Sequence, residues 1–96
     1  MRTREQLLEQ LRRLKGELVE RYPIARLALF GSYARNDQRE GSDCDLLVAF
    51  SQPVGMEFLR LANELEEHLG MKVDLVSMGG VKARYLEAIR EELIDV

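Results

Sequence analysis

Apolar residues recur at helical spacing from the start of the chain: Leu7, Leu8, Leu11, Leu14, Leu18 and Val19, with charges between them. That period predicts an amphipathic helix whose apolar stripe lies in a core. Thr3 is placed as its N-cap and Gln6 completes a capping-box pattern, so the helix is expected over 4–21, ended by Pro23. The pattern then changes. IARLALF, residues 24–30, is short, apolar and bounded, which predicts a strand. Gly31-Ser32 follows at once, with Ser32 placed to cap a short helix through about residue 35. Residues 36–42 are polar and contain Gly41, so they read as a loop. A second strand is expected over 43–50, where Asp-Cys-Asp leads into LLVAF. After a turn around Pro53, a second long helix is expected over 56–69, with Phe58, Leu59, Ala62, Leu65 and Leu69 on one face and Gly70 as its stop. KVDLV, residues 72–76, predicts a third strand. Met78-Gly79-Gly80 reads as a turn, and 81–93 as a last helix with Tyr85, Leu86, Ile89 and Leu93 facing inward. Residues 94–96 suit a short fourth strand at an edge.

Strands interleaved with helices imply one sheet covered by helices, an α/β chain of the α+β type. The link between the first two strands is short for a parallel crossover, so a mixed sheet of three to four strands is expected at least as readily as a parallel one.

With 96 residues, one domain spanning 1–96 is expected. Apolar residues make up 46% of the chain and charged residues 32%, which sets it apart from disordered sequences. A core of this size leaves little room for an enclosed cavity, so a site is expected to be an open groove. The net charge of −3 argues against sequence-blind nucleic-acid binding, which uses a basic surplus. Cys44 is the only cysteine, which excludes an internal disulfide and fits a reducing cytosol. One His and one Cys cannot supply a zinc site. No apolar run approaches the length of a bilayer span, and a cytoplasmic location is expected.

Two aspartates, Asp43 and Asp45, stand at the head of the second strand. Side chains two apart on a strand share a face, with Cα atoms roughly 6 to 7 Å apart. Two ionised carboxylates there repel, and a hard divalent cation such as Mg²⁺ reverses the sign. Asp74 interrupts the third strand, where an unpaired charge costs several kcal/mol. If the second and third strands are neighbours, three acids meet on one sheet. Gly31-Ser32 supplies the complement: glycine allows close backbone approach, and a serine at a helix start sits beside free N–H groups. Phosphate held there and bridged by metal to the carboxylates is the parts list for phosphoryl or nucleotidyl transfer, with two metals on the attacking and leaving oxygens and a carboxylate as proton acceptor.

Gly31-Ser32, ten intervening residues, Asp43-Cys44-Asp45-Leu46 and the later Val73-Asp74-Leu75 together resemble the nucleotidyltransferase superfamily of DNA polymerase beta. The wider stretches Gly31-Ser32-Tyr33-Ala34-Arg35 and Ser42-Asp43-Cys44-Asp45-Leu46-Leu47-Val48 are similar to its minimal nucleotidyltransferase (MNT) branch. The resemblance implies the polymerase beta-like fold, a nucleoside triphosphate at Gly31 and Ser32, and Mg²⁺, two ions, at Asp43, Asp45 and Asp74. It leaves Arg35 open between contacting phosphate and bracing the loop. Asn36 departs from the pattern, since many relatives carry glycine there. The branch further implies AMP transfer from ATP to a hydroxyl of a helical HEPN-type partner, in toxin–antitoxin modules where the nucleotidyltransferase is the antitoxin.

Two alternatives stay open at this point. The domain could neutralise a partner by contact alone, or act on a small molecule such as an antibiotic, although such relatives add an acceptor domain. Outside the site, bland roles are expected: His68 at a helix C-terminus favours the dipole, Cys44 is a small core residue, and the charges of the last helix, Glu92 included, form a solvated surface.

Overall fold

The computed structural model describes residues 1–96. Helix α1 (Arg4–Leu18) opens with the capping box in place: the Gln6 N–H donates to Thr3 Oγ1 at 3.1 Å, and the Thr3 N–H donates to Gln6 Oε1 at 2.9 Å. It ends before residue 21, and Val19 is exposed rather than on the core stripe. Pro23 disfavours helix at the residue before it. Tyr22 instead buries its ring in the core while its hydroxyl donates to Glu64, which also pairs with Arg21.

Strand β1 (Ile24–Phe30) runs into a one-turn helix α2 (Gly31–Arg35), and a loop leads to strand β2 (Cys44–Phe50). Asp43 therefore lies one residue outside the strand expected to begin with it. Ser32 does not cap α2; Phe30 holds the N-cap position and makes no side-chain cap bond, because the chain enters the helix one residue earlier, through Gly31. Asn36 ends α2 in the left-handed conformation with φ 65°, a position that tolerates Asn or Gly, so its departure from the glycine of many relatives leaves the turn intact.

Helix α3 (Glu57–Leu69) buries Leu61, Leu65 and Leu69 and stops at Gly70. Leu59, expected on that face, is exposed. It sits two residues from Leu61, and residues two apart point to different sides of a helix. Strand β3 (Val73–Ser77) is followed by a 3-10 turn (Met78–Gly80), helix α4 (Ala83–Ile89), a second 3-10 turn (Arg90–Glu92) and strand β4 (Ile94–Asp95). The last helix is shorter than expected, and Tyr85, read as inward-facing, is 40% exposed.

The sheet is mixed, in the order β3-β2-β1-β4. β1 pairs antiparallel with β2 and with β4, and β2 pairs parallel with β3. Alternation along the strands sorts side chains to two faces. Leu27, Leu29, Cys44, Leu46, Val48 and Val73 belong to the main core, with Leu7, Leu11 and Leu18 of α1 and the leucines of α3. Phe30 and Leu47 lie on the other face with Ile89 of α4.

Candidate active site

Alternation decides where the acids go. Cys44 and Leu46 point into the main core, so Asp45 between them points to the opposite face. Val73 and Leu75 pack toward the same core, so Asp74 does likewise. The parallel register pairs Asp45 with Asp74 directly, and the antiparallel register pairs Asp45 with Phe30. Phe30, Asp45 and Asp74 thus form one row across three strands. Asp43, two residues before Asp45, stands at the same end. The structure brings Asp45 and Asp74 side by side, with Asp43 close enough for its charge to act on Asp45.

The Gly31 turn meets this row. Gly31 has φ +80°, and a Cβ there would stand 2.0 Å from Asp45 Oδ2 and 2.8 Å from its Cγ. Only glycine fits, because its bare backbone lies against the Asp45 carboxylate. The Gly-Ser turn and the Asp-x-Asp strand are therefore one contact in space.

The electrostatics follow from the crowding. The Asp45 carboxyl is pushed up to about 6 by burial, then by the charges of Asp74 and Asp43, with Arg35 opposing. Tyr85 lies over the same row. Its ring meets Phe30 edge-on at 6.2 Å between centroids, and burial followed by the charges of Asp74, Asp45 and Glu92 raises its phenol pKa. Cys44, on the core side, is pushed up to about 12 by burial, which leaves an inert thiol.

The donor set suits a hard cation. Every candidate ligand is a carboxylate oxygen, and the raised Asp45 marks negative charge that a divalent ion would relieve. No three acids, histidines or cysteines stand close enough to form a closed metal cage on their own. Mg²⁺ does not require one, because it is held by one or two carboxylates together with substrate phosphates and water. An open cavity of about 540 Å³ adjoins Asp43, with Arg2, Tyr33, Arg39 and Lys72 among its walls.

Arg35 is braced. Its Nη1 donates to both oxygens of Glu92, at 3.1 and 3.3 Å, and its Nε donates to Asp37 at 3.2 Å. The same Glu92 accepts the Gly31 N–H at 2.9 Å. Glu92 is the residue that sequence reading missed, assigned there to a solvated helix face. Its partners lie 61 and 57 positions away, so no local pattern marks it.

Fold and site define a nucleotidyltransferase. The nucleotidyltransferase domain model matches residues 11–96, and the chain belongs to that family. The protein adenylyltransferase MntA of Thermococcus cleftensis is 36% identical over 97 residues, covering 100% of this chain and 98% of that one. A Methanocaldococcus jannaschii chain provisionally named a protein adenylyltransferase is 44% identical over 98 residues, covering 100% of both. A solved structure provisionally described as a minimal nucleotidyltransferase has a TM-score of 0.83 at 38% identity, covering 99% of this chain and 97% of its own. A chain of a toxin–antitoxin crystal structure with AMP-PNP shares the fold, with a TM-score of 0.72 at 22% identity, covering 96% of this chain and 70% of its own.

Proposed function

We propose that this chain is a Mg²⁺-dependent adenylyltransferase of the cytoplasm that moves AMP from ATP to a hydroxyl of a helical HEPN-type partner, as the antitoxin of a toxin–antitoxin module. One observation carries the chemistry: Asp45 and Asp74 stand side by side on the open face of the sheet, against the backbone of Gly31. The choice of acceptor is supported by the relatives named protein adenylyltransferases and by a neighbouring structure of a tri-AMPylated Shewanella oneidensis HEPN toxin in complex with an MNT antitoxin.

In this reading Gly31, Ser32 and Arg35 receive the triphosphate, and Asp43, Asp45 and Asp74 hold the metal. A Mg²⁺ ion held by these carboxylates would supply charge neutralisation for the phosphates. The acceptor hydroxyl oxygen attacks the α-phosphorus, and the bond from that phosphorus to the oxygen bridging the β-phosphate breaks. Pyrophosphate leaves, and the hydroxyl proton passes to a carboxylate. Asp74 suits that role because it is the most exposed of the three acids. The 96 residues act as one catalytic unit whose acid-bearing face is open, so the acceptor comes from outside.

The test is incubation with Mg²⁺, α-labelled ATP and a HEPN-type partner. Label moves to the partner and pyrophosphate appears, and both are lost in Asp43→Asn. Binding of the partner without any label would turn the reading into neutralisation by contact.

A further inference from the structure

Glu92 occupies the turn just ahead of β4, with its side chain only 20% exposed although it belongs to a charge-rich segment. Its carboxylate has two duties. Oε1 accepts the Gly31 N–H at 2.9 Å, and both oxygens accept from Arg35 Nη1. Gly31 is thereby held from two sides. Asp45 fills the space where a side chain would be, and Glu92 fixes the amide. Arg35 is held at two points as well, Nε by Asp37 and Nη1 by Glu92. Its Nη2 donors are left for a ligand.

We propose that Glu92 is a positioning residue for the nucleotide: it fixes the Gly31-Ser32 turn and aims the Arg35 guanidinium so that together they receive the triphosphate. This rests on the nucleotide reading above and adds a residue to it from the far end of the chain. Glu92 touches neither the nucleotide nor the acceptor. Its effect passes through Gly31 and Arg35, and it acts on binding rather than on the bond-making step. Removing the carboxylate leaves the part-buried Gly31 amide without an acceptor and frees Arg35 to swing toward Asp37 alone. Charge-assisted hydrogen bonds of this kind are the strong ones, and an arginine that must be re-aimed on binding weakens that binding.

The experiment measures adenylyl transfer and, separately, Mg²⁺–ATP binding by calorimetry, in the parent and in Glu92→Ala, Glu92→Gln, Arg35→Ala and the Arg35→Ala/Glu92→Ala double variant. Glu92→Ala raises both the KM and the Kd for ATP about tenfold, with kcat within about twofold of the parent. Glu92→Gln keeps an acceptor for Gly31 but loses the ion pair, and it shifts KM by about threefold, which guards against loss of fold in the alanine variant. The double variant binds no more weakly than Arg35→Ala by more than about threefold, because much of the effect runs through the arginine. Parent-like KM and Kd in Glu92→Ala overturn the inference while leaving the adenylyltransferase reading intact. So does a fall in stability and kcat with KM unchanged, which marks a purely structural residue. A parent that neither binds ATP nor transfers AMP removes both readings together.

Discussion

The two faces of the sheet divide the work. Toward α1 and α3, sixteen buried residues form one core, with Leu27, Leu29, Leu46 and Val48 fully covered. Toward α4, the buried residues are four, Ala28, Phe30, Leu47 and Ile89, and the same face carries Asp45 and Asp74. Single-residue alternation along β2 sets the two apart: Cys44, Leu46 and Val48 go one way, and Asp45 and Leu47 the other. Unpaired carboxylates cannot be placed in a close-packed core at acceptable cost. A thin second layer leaves them open to solvent and ligand, while the thick layer supplies the stability that the charges subtract.

If the faces divide this way, the largest effect comes from the thin face and concerns activity rather than folding. Asp45→Asn and Asp74→Asn each lower nucleotidyl transfer about 10³-fold, while the folded chain persists. Pyrophosphate release and circular dichroism together check this, and a parent-like rate in either variant would break the division. The next effect belongs to the thick face. Leu46→Ala costs about 3 kcal/mol, because it empties a fully buried position. Leu86→Ala, on α4 and half-buried against the second cluster, costs about 1 kcal/mol by the same reasoning. Urea unfolding of the two variants measures the difference, and equal losses would show that both layers carry the fold. Gly31→Ala falls between these, at about 2 kcal/mol, from its left-handed backbone and the collision with Asp45. Its loss of activity should be near complete, because relief of the collision displaces the carboxylate.

Most of the fold was readable because its signals are local. The Thr3–Gln6 box, the leucine stripe of α1, the bounded run of β1 and the Gly70 stop each sit within a few residues of what they determine. The nucleotidyltransferase motif was readable because its spacing along the chain is itself the signature. Register decided what was not. That Asp74 stands beside Asp45 depends on β2 and β3 being parallel neighbours in that alignment, which the acidic interruption of an apolar strand suggested but could not fix. Ser32 illustrates a near miss: a helix start was expected at the right place, but Gly31 with its positive φ takes the first position, and the cap disappears. Glu92 was invisible, because an exposed acid and an acid that folds back onto a distant amide have the same neighbours in sequence.

The smallest effect tests the division most directly, because it asks whether the thin face lowers stability. The Asp45 carboxyl titrates near 6 in the fold, against 3.8 for an unperturbed side chain. The folded chain therefore holds this proton more tightly than the unfolded one. Above pH 6 the group is ionised in both states, and the folded state bears the cost of burial and of the neighbouring acids. Between pH 6 and about 3.8 the folded state takes up its proton first, and that cost disappears. Partial exposure screens the effect, leaving about 1 kcal/mol. Asp45→Asn, which carries no charge, should then be more stable than the parent by about 1 kcal/mol at pH 7.5 and equal to it near pH 4. Millimolar Mg²⁺ should narrow the gap at pH 7.5 by stabilising the parent alone, since a ligand that binds only the folded state raises its stability. Urea midpoints at the two pH values, with and without Mg²⁺, decide the matter. A variant no more stable than the parent at pH 7.5 would mean that Asp45 lies at ease in its place, and that the crowded acids are ordinary surface charges rather than a site awaiting a cation.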